Sequence, residues 1–545
     1  MDLRKYNIYF HTHTISGIII CALLYVIFFA GSFSFFKDEI SAWQNNVSNV
    51  TVEEGVKQDF NHVFDSLAQL HELKGRDFGF FVQRNQQAVY VEMSASQDTT
   101  IAIANQETSN GRKRGRGNGD GAYFKYDFQS KAPSTYVESY DLGEFLYRLH
   151  FLAQLNQIGI NIGTPFGYLL AGIVSFLFLF ALITGLFLHW DKIKSNFFVF
   201  RPFSKWKTVW TDAHTALGVI GFPFQFVFAV TGIVLIVNFV LITPYSKILY
   251  DNDSEQLYQD LEFAELDDYP YQHKELPFNF DLNQLLEKTT KDWAPTQLAQ
   301  IEIKNYKDEN MHVLIETTAD SKHNFAGSGK LIYRVKDQKI LFQKAPNTES
   351  SYIDYVKALI YHLHFGDFGG KPIKIIFFVL GIMGCVVIIS GILIWLVARE
   401  KPNLPARKRK FNFWLANIFL ASCLTMLPVT ALTFIAVKIL PAATQTDIYH
   451  WYFYSWLVLG LYFILRRDIA LTNRQTLLLN GILCLGVPIA NGLYGQSWMW
   501  RTYHARAMDI LFIDVLFLVL SILSFIIYYK IRNRKYPTKT VVVKV

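Results

Sequence analysis

The sequence predicts a polytopic α-helical membrane protein: about eight spans, two outward α+β domains, and an internal duplication covering the first four helices. Three observations lead there. Eight long stretches are apolar and almost free of charge, lysine and arginine crowd alternate connections, and a histidine-centred pattern occurs twice in the first 400 residues. Composition agrees, since 51% of the 545 residues are hydrophobic, 16% aromatic and only 18% charged, where a soluble domain carries about a quarter. Disordered, collagen-like, coiled-coil and disulfide-rich secreted classes are excluded. The four cysteines, Cys21, Cys385, Cys423 and Cys484, all fall in apolar runs and offer no outward disulfide framework.

A membrane helix needs about 20 mostly apolar residues. The stretches that meet or approach this are 15–36, 165–188, 216–243, 375–397, 414–437, 451–465, 476–494 and 510–529. The sixth is short and the eighth carries Asp514. The first is longer than the apolar core of a signal peptide, about 7–15 residues, and is read as a retained helix.

Positive charge sets the orientation. Lys192, Lys194, Arg201, Lys205 and Lys207 follow span 2, Arg399 to Lys410 follow span 4, Arg466, Arg467 and Arg474 follow span 6, and Lys530 to Lys535 follow span 8. The alternate short connections are poorer. Both termini are therefore expected in the cytoplasm, with two polar segments facing out. The resulting division is 1–36 for span 1, 37–150 for the first outward domain, 151–246 for spans 2 and 3, 247–364 for the second outward domain, 365–400 for span 4, and 401–545 for spans 5–8. In the first outward domain, 50–73 has helical periodicity, 78–91 with 100–104 reads as a β-hairpin, and 111–121 is a glycine-rich basic loop. In the second, 282–288 reads as a helix, and 300–304, 312–317, 330–335 and 340–343 as strands.

The duplication appears when His13 is aligned with His214. His-Thr-x-x-Gly then recurs as His13, Thr14, Gly17 and His214, Thr215, Gly218, and Gly31 meets Gly232. Tyr-Arg-Leu-His-Phe at 147–151 answers Tyr-His-Leu-His-Phe at 361–365, and Thr184-Gly185-Leu186 answers Ser390-Gly391-Ile392. The last four spans show no such copy.

Histidine at a membrane helix end is costly and tends to serve a function. The repeat places His13 and His214 near one face and His150 and His364 just beyond the other. Each pair has the makings of two axial imidazoles for one haem, giving two six-coordinate b-type centres. No CxxCH is present for covalent attachment. His189 is the alternative ligand for the inner centre and His362 for the outer one, and His11 is a close neighbour of His13. Gly31 and Gly232 lie five turns from the histidines on the same helix stripe, where glycine admits a macrocycle or a neighbouring helix. Helix packing explains such small residues as well. Zinc is not expected, because it asks for about four clustered Cys or His ligands and there is no HExxH.

These residues resemble the PepSY-associated transmembrane helix family. The resemblance is carried by His13 to Gly17, Gly31 to Ile40, Leu149-His150-Phe151, Asp212 to Gly218, Thr231-Gly232 and Leu363-His364, and it covers roughly 1–400. It implies a multi-pass protein of the bacterial inner membrane with two periplasmic PepSY-like domains. Some members are similar to di-haem siderophore-iron reductases, so His13 and His214 would ligate an inner haem b, and His150 and His364 an outer one. The basic glycine loop and the spans after about 410 depart from the family pattern.

No flavin or nicotinamide motif is present, because the loop Gly115-x-Gly117-x-Gly119-x-Gly121 is neither GxGxxG nor a phosphate loop. The expected donor is a membrane quinol or a separate cytoplasmic reductase. The expected acceptor is a ferric siderophore or other ferric chelate. Arg112 and Arg114 in the basic loop, and Arg501 and His504 in the last outer connection, are weak candidates for attracting it. A nucleic-acid partner is not expected. Two other classes stay open, a haem-free regulator of periplasmic proteolysis and a transporter for iron or its chelate.

Overall fold

The computed structural model describes residues 2–533 apart from 48–57, 84–86, 99–120, 161–164, 202, 262–268, 320–324, 347–349, 400–402 and 441. Eight helices are long and apolar enough to cross a membrane: Leu3–Ser34, Phe166–Phe198, Trp206–Ile236, Asp367–Ala398, Ala406–Ile439, Gln445–Arg466, Ile469–Tyr494 and Met508–Arg532, here spans 1–8. Most run beyond their charge-free windows because lysine, arginine and aromatic residues extend the helix past its apolar centre. Span 6 starts six residues before the expected 451, on a capping box in which Thr444 and Asp447 satisfy each other's backbone N–H. A π-helical turn at His450–Tyr454 carries it into the apolar stretch. Span 5 breaks at Thr425, three residues ahead of Pro428, whose ring removes a helix N–H and crowds the carbonyl four residues back.

Spans 1–4 close into a ring, with spans 1 and 3 each packed on spans 2 and 4. Among the described residues, spans 5–8 lie chiefly against spans 1 and 4. Outside the spans come the helices α1 (Lys37–Asn45), α2 (Phe60–Ala68), α3 (Leu142–His150), α4 (Leu282–Asp292), α5 (Tyr352–Phe365) and α6 (Met499–His504).

The strands of the two polar segments join in one sheet. They are β1 (Phe78–Val82), β2 (Ala88–Met93), β3 (Ala122–Asp127), β4 (Ala132–Thr135), β5 (Thr296–Lys304), β6 (His312–Ala319), β7 (Ser328–Arg334) and β8 (Lys339–Lys344), and they pair antiparallel in the order β4-β3-β2-β1-β5-β6-β7-β8. The join is β1 on β5, where Phe78 faces Ile303 and Phe80 faces Ile301. Each edge strand of a lone half-sheet would expose a row of unpaired N–H and C=O groups, and pairing the two edges removes both. The helices α2 and α4 pack on this sheet through Phe60, Phe64, Leu67, Leu282 and Leu286, in one core with Val91, Ile301 and Val313.

The described part of the expected 50–73 helix is α2 alone. The expected strand at 100–104 lies outside the described residues, as does 111–120 of the basic loop with Arg112 and Arg114. Strands β3 and β4 were not anticipated.

Candidate functional site

The histidines converge as two pairs, one at each end of the four-span ring. His13 of span 1 and His214 of span 3 meet with ring centres 6.1 Å apart and planes at 70°. This is the end away from the sheet. At the sheet side, His150 closing α3 and His364 near the end of α5 meet with ring centres 6.0 Å apart at 42°. At 1.5 Å per residue, span 1 rises about 21 Å between His13 and Ile27, the residue on which His150 rests.

Each ring is held by its Nδ1. His13 Nδ1 donates to the Ala181 carbonyl (2.9 Å), His214 Nδ1 to the Val387 carbonyl (2.9 Å), His150 Nδ1 to the Ile27 carbonyl (2.8 Å), and His364 Nδ1 to Thr231 Oγ1 (2.8 Å). A helix carbonyl already accepts the N–H four residues on, and it admits a second donor only if the side chain there leaves room. Glycine leaves room. Ala181 is followed by Gly185, Val387 by Gly391 and Ile27 by Gly31. A Cβ at Gly31 would stand 2.5 Å from His150 Nδ1, one at Gly185 3.0 Å from His13 Cε1, and one at Gly391 3.1 Å from His214 Cε1. The glycines thus seat the imidazoles, and Gly31 in particular admits a histidine where the sequence suggested a macrocycle or a helix. At Gly17 and Gly218, beside the far pair, a Cβ would meet nothing within 4 Å.

The arrangement fits haem. With Nδ1–H donating, Nε2 is left as the lone-pair nitrogen, the tautomer a metal-bound histidine needs. Two imidazoles bonded at about 2 Å to one metal, with roughly 1 Å more from nitrogen to ring centre, put the centres about 6 Å apart. Among the described residues no group of three His, Cys, Asp or Glu side chains gathers as a metal cluster. A pair of imidazoles would complete six-coordination around a metal that brings its own four equatorial donors, as a haem does.

A family model for the PepSY-associated TM region matches residues 10–398. The chain belongs to the PepSY-associated transmembrane family. No curated protein matches it. The matched region ends with span 4, so the family unit is the ring of four spans with its sheet, and spans 5–8 are an addition to it.

In this PepSY-associated protein the remaining candidates make other contacts, and His189 stays within electrostatic range of both His13 and His214. His189 Nδ1 lies 3.3 Å from the Asn196 side-chain nitrogen, at the cytoplasm-directed end of span 2 in the sequence reading. His362 turns to Asp367 Oδ1 (2.5 Å) and lies tilted against Phe325, with ring centres 5.0 Å apart. His11 is exposed against Phe10. Arg501 and His504 lie on α6, with Arg501 reaching the Gln496 carbonyl (3.5 Å) and His504 against Tyr503.

Around His150 a charged cluster closes the sheet-side end. Glu144 on α3 accepts from Lys37 (2.6 Å), Arg148 (2.6 Å) and Tyr136 (2.8 Å), while Arg148 also donates to Tyr168. Burial alone would push the Glu144 carboxyl up, but the Lys37 ammonium and Arg148 guanidinium outweigh it and bring it down to about 2. Burial lowers the His150 imidazole, an effect partly offset by its bond to the Ile27 carbonyl. The sequence reading missed three kinds of participant: the carbonyls of Ile27, Ala181 and Val387, the hydroxyl of Thr231, and Glu144. The repeated Thr184-Gly185 and Ser390-Gly391 pairs, with Gly31 and Gly232, signalled the seats.

Proposed function

We propose that this family member is a di-haem electron conduit. It carries electrons from a membrane quinol or cytoplasmic reductase to a ferric siderophore or other ferric chelate on the sheet side. The reading rests on one observation: two histidine pairs, one at each end of the ring, each ring anchored through Nδ1 at the spacing of a shared metal. His13 and His214 would hold the haem at the far end, and His150 and His364 the one beneath the sheet. Haem, when bound, supplies one-electron redox chemistry. The chain fixes the tautomer through the four Nδ1 contacts and sets the two sites at opposite ends of the ring. Each Fe(III) takes one electron and leaves as Fe(II), whose lower charge loosens its hold on hard oxygen donors.

The topology belongs to the same proposal. Lysine and arginine concentrate in the connections opposite the sheet, which supports an inner-membrane protein with the sheet periplasmic and both termini cytoplasmic. The matched seats in spans 1 and 3 and in spans 2 and 4 support duplication of one two-span unit.

A reduced-minus-oxidised optical spectrum of the purified protein, expressed with ample haem, tests this. Two b-type centres are expected, His13→Ala and His150→Ala should each lose one, and exposed His11→Ala should lose neither. A spectrum without haem would overturn the conduit and leave a regulator of periplasmic proteolysis. Chelate uptake that survives loss of the histidines would instead mark a transporter.

A further inference from the structure

The two halves of the ring differ at one atom of the sheet-side site. On span 1 the residue before Gly31 is Ala30, and His150 reaches past it to the Ile27 carbonyl. On span 3 the residue before Gly232 is Thr231, and His364 stops at its hydroxyl. Thr231 Oγ1 donates its own proton to the Val227 carbonyl (2.6 Å), so toward His364 the oxygen is an acceptor. It also lies 3.4 Å from the Phe228 carbonyl, the counterpart of Ile27 in the repeat. The threonine stands between the imidazole and that carbonyl. The spacing records it: a Cβ at Gly232 would be 3.7 Å from His364, against 2.5 Å for Gly31 and His150.

We infer that Thr231 is a positioning residue that gives the sheet-side site one hydroxyl-bonded imidazole beside one carbonyl-bonded imidazole, and thereby raises its reduction potential above that of an all-carbonyl seat. This rests on the haem reading above. A carbonyl is the stronger acceptor; it draws the Nδ1 proton, makes the imidazole a better donor and favours the oxidised metal. A hydroxyl draws less, and the reduced state gains. The bias lies on the site nearest the ferric acceptor, where it helps an electron arrive.

The test is redox titration of the full-length holoprotein, monitored optically, with electron paramagnetic resonance on the oxidised state. Thr231→Ala copies the Ala30 arrangement and opens Phe228 to His364. The potential of one centre should fall by up to about 59 mV, a tenfold change in a one-electron equilibrium, while the other stays put. Thr231→Ser keeps the oxygen and should keep both potentials. A low-spin signal lost from one centre in Thr231→Ala but retained in Thr231→Ser would also support the assignment, since orientation would then depend on that oxygen. Unchanged potentials in Thr231→Ala, or equal shifts at both centres, would overturn it while leaving the two haems in place. A protein with no b-type spectrum at all would overturn the haem reading itself.

Discussion

A methyl group added at Gly31 would overlap the His150 ring at 2.5 Å, whereas the nearest His364 atom to a methyl at Gly232 is 3.7 Å away. Gly31→Ala should therefore tilt His150 off its carbonyl and weaken haem affinity at the sheet-side site by about 10–100-fold, the usual cost of losing an outer-shell partner. Gly232→Ala should stay within about twofold of the parent, because 3.7 Å is ordinary van der Waals contact. Haem titration of the two apo-variants measures the contrast, and equal losses would show that the glycines serve helix packing instead. The paired histidines were legible in the sequence because the repeat aligns His13 with His214 and His150 with His364. Their anchors were not, because a backbone carbonyl has no letter. Thr184-Gly185 and Ser390-Gly391 stood out as repeated, but nothing local says that the glycine uncovers a carbonyl four residues earlier. The repeat favours His364, opposite His150, over His362, opposite Arg148, but it does not show how the two side chains divide. They are two residues apart, about 200° around a helix, and which one faces His150 is decided by where span 3 and Asp367 lie.

At the level of elements, the two helices on the sheet are tied to each other by a reciprocal device. Asp59 caps α2 and Asp281 caps α4, Asn61 donates to Asp281 (2.7 Å), and Asn283 donates to Asp59 (2.7 Å). Asn283 Oδ1 in turn receives the Phe60 N–H (2.8 Å), and Asn61 Oδ1 the Leu282 N–H (3.2 Å). Asn61→Ala and Asn283→Ala should each cost about 1 kcal/mol. The double variant should cost less than their sum, because each substitution already disrupts the other's cap; thermal unfolding of the three variants gives the coupling. The motif was visible as Asp-x-Asn at 59–61 and again at 281–283, yet only the meeting of two distant helix ends reveals its use. The single sheet was hidden for the same reason, since β1–β5 pairing joins residues more than 200 apart and leaves no local pattern. The helix α3 adds a pH dependence. Glu144 is held at about 2, below its ordinary 4.5, so its stabilising contribution is complete above about pH 4.5 and is lost as pH falls toward 2. Glu144→Gln should remove that acid-side loss and leave Lys37 and Arg148 facing a neutral amide, at a cost of about 3–5 kcal/mol. An unchanged stability profile between pH 5 and 2 would show that the carboxylate is not the titrating group.

Across the described residues, spans 5–8 brace chiefly one half of the ring, spans 1 and 4. Phe33 stacks on Phe517, while Phe36 meets Phe512 and Phe145 of α3 meets Tyr452 at tilted angles. Asp514, fully buried, accepts from Trp43 Nε1 of α1 (2.8 Å) and Asn491 (2.9 Å), and Lys438 caps the end of α1 through the Trp43 carbonyl and Asn46. Asp514 was noticed in the sequence as a charge inside span 8, but its partner Trp43 lies 471 residues away. Asp514→Ala would strand two buried donors at about 1–3 kcal/mol each, and through α1 and α3 it should loosen the His150 pair before the His13 pair. Heating the variant while following both centres optically would show the sheet-side signal failing first; simultaneous loss would mean the brace holds the ring as one unit. The division of the two sites also dictates how each should fail in electron flow. In proteoliposomes supplied with quinol and an external ferric chelate, His150→Ala interrupts the path after the far pair, so that pair should become reduced and stay reduced when chelate is added. His13→Ala interrupts it before the sheet-side pair, which should remain open to oxidation by chelate yet fail to fill from quinol. Both variants should lose at least a hundredfold in Fe(II) release, with opposite steady-state spectra. If both gave the same spectrum, the two sites would not lie in series, and a conduit running the length of the ring would be the wrong description of this bundle.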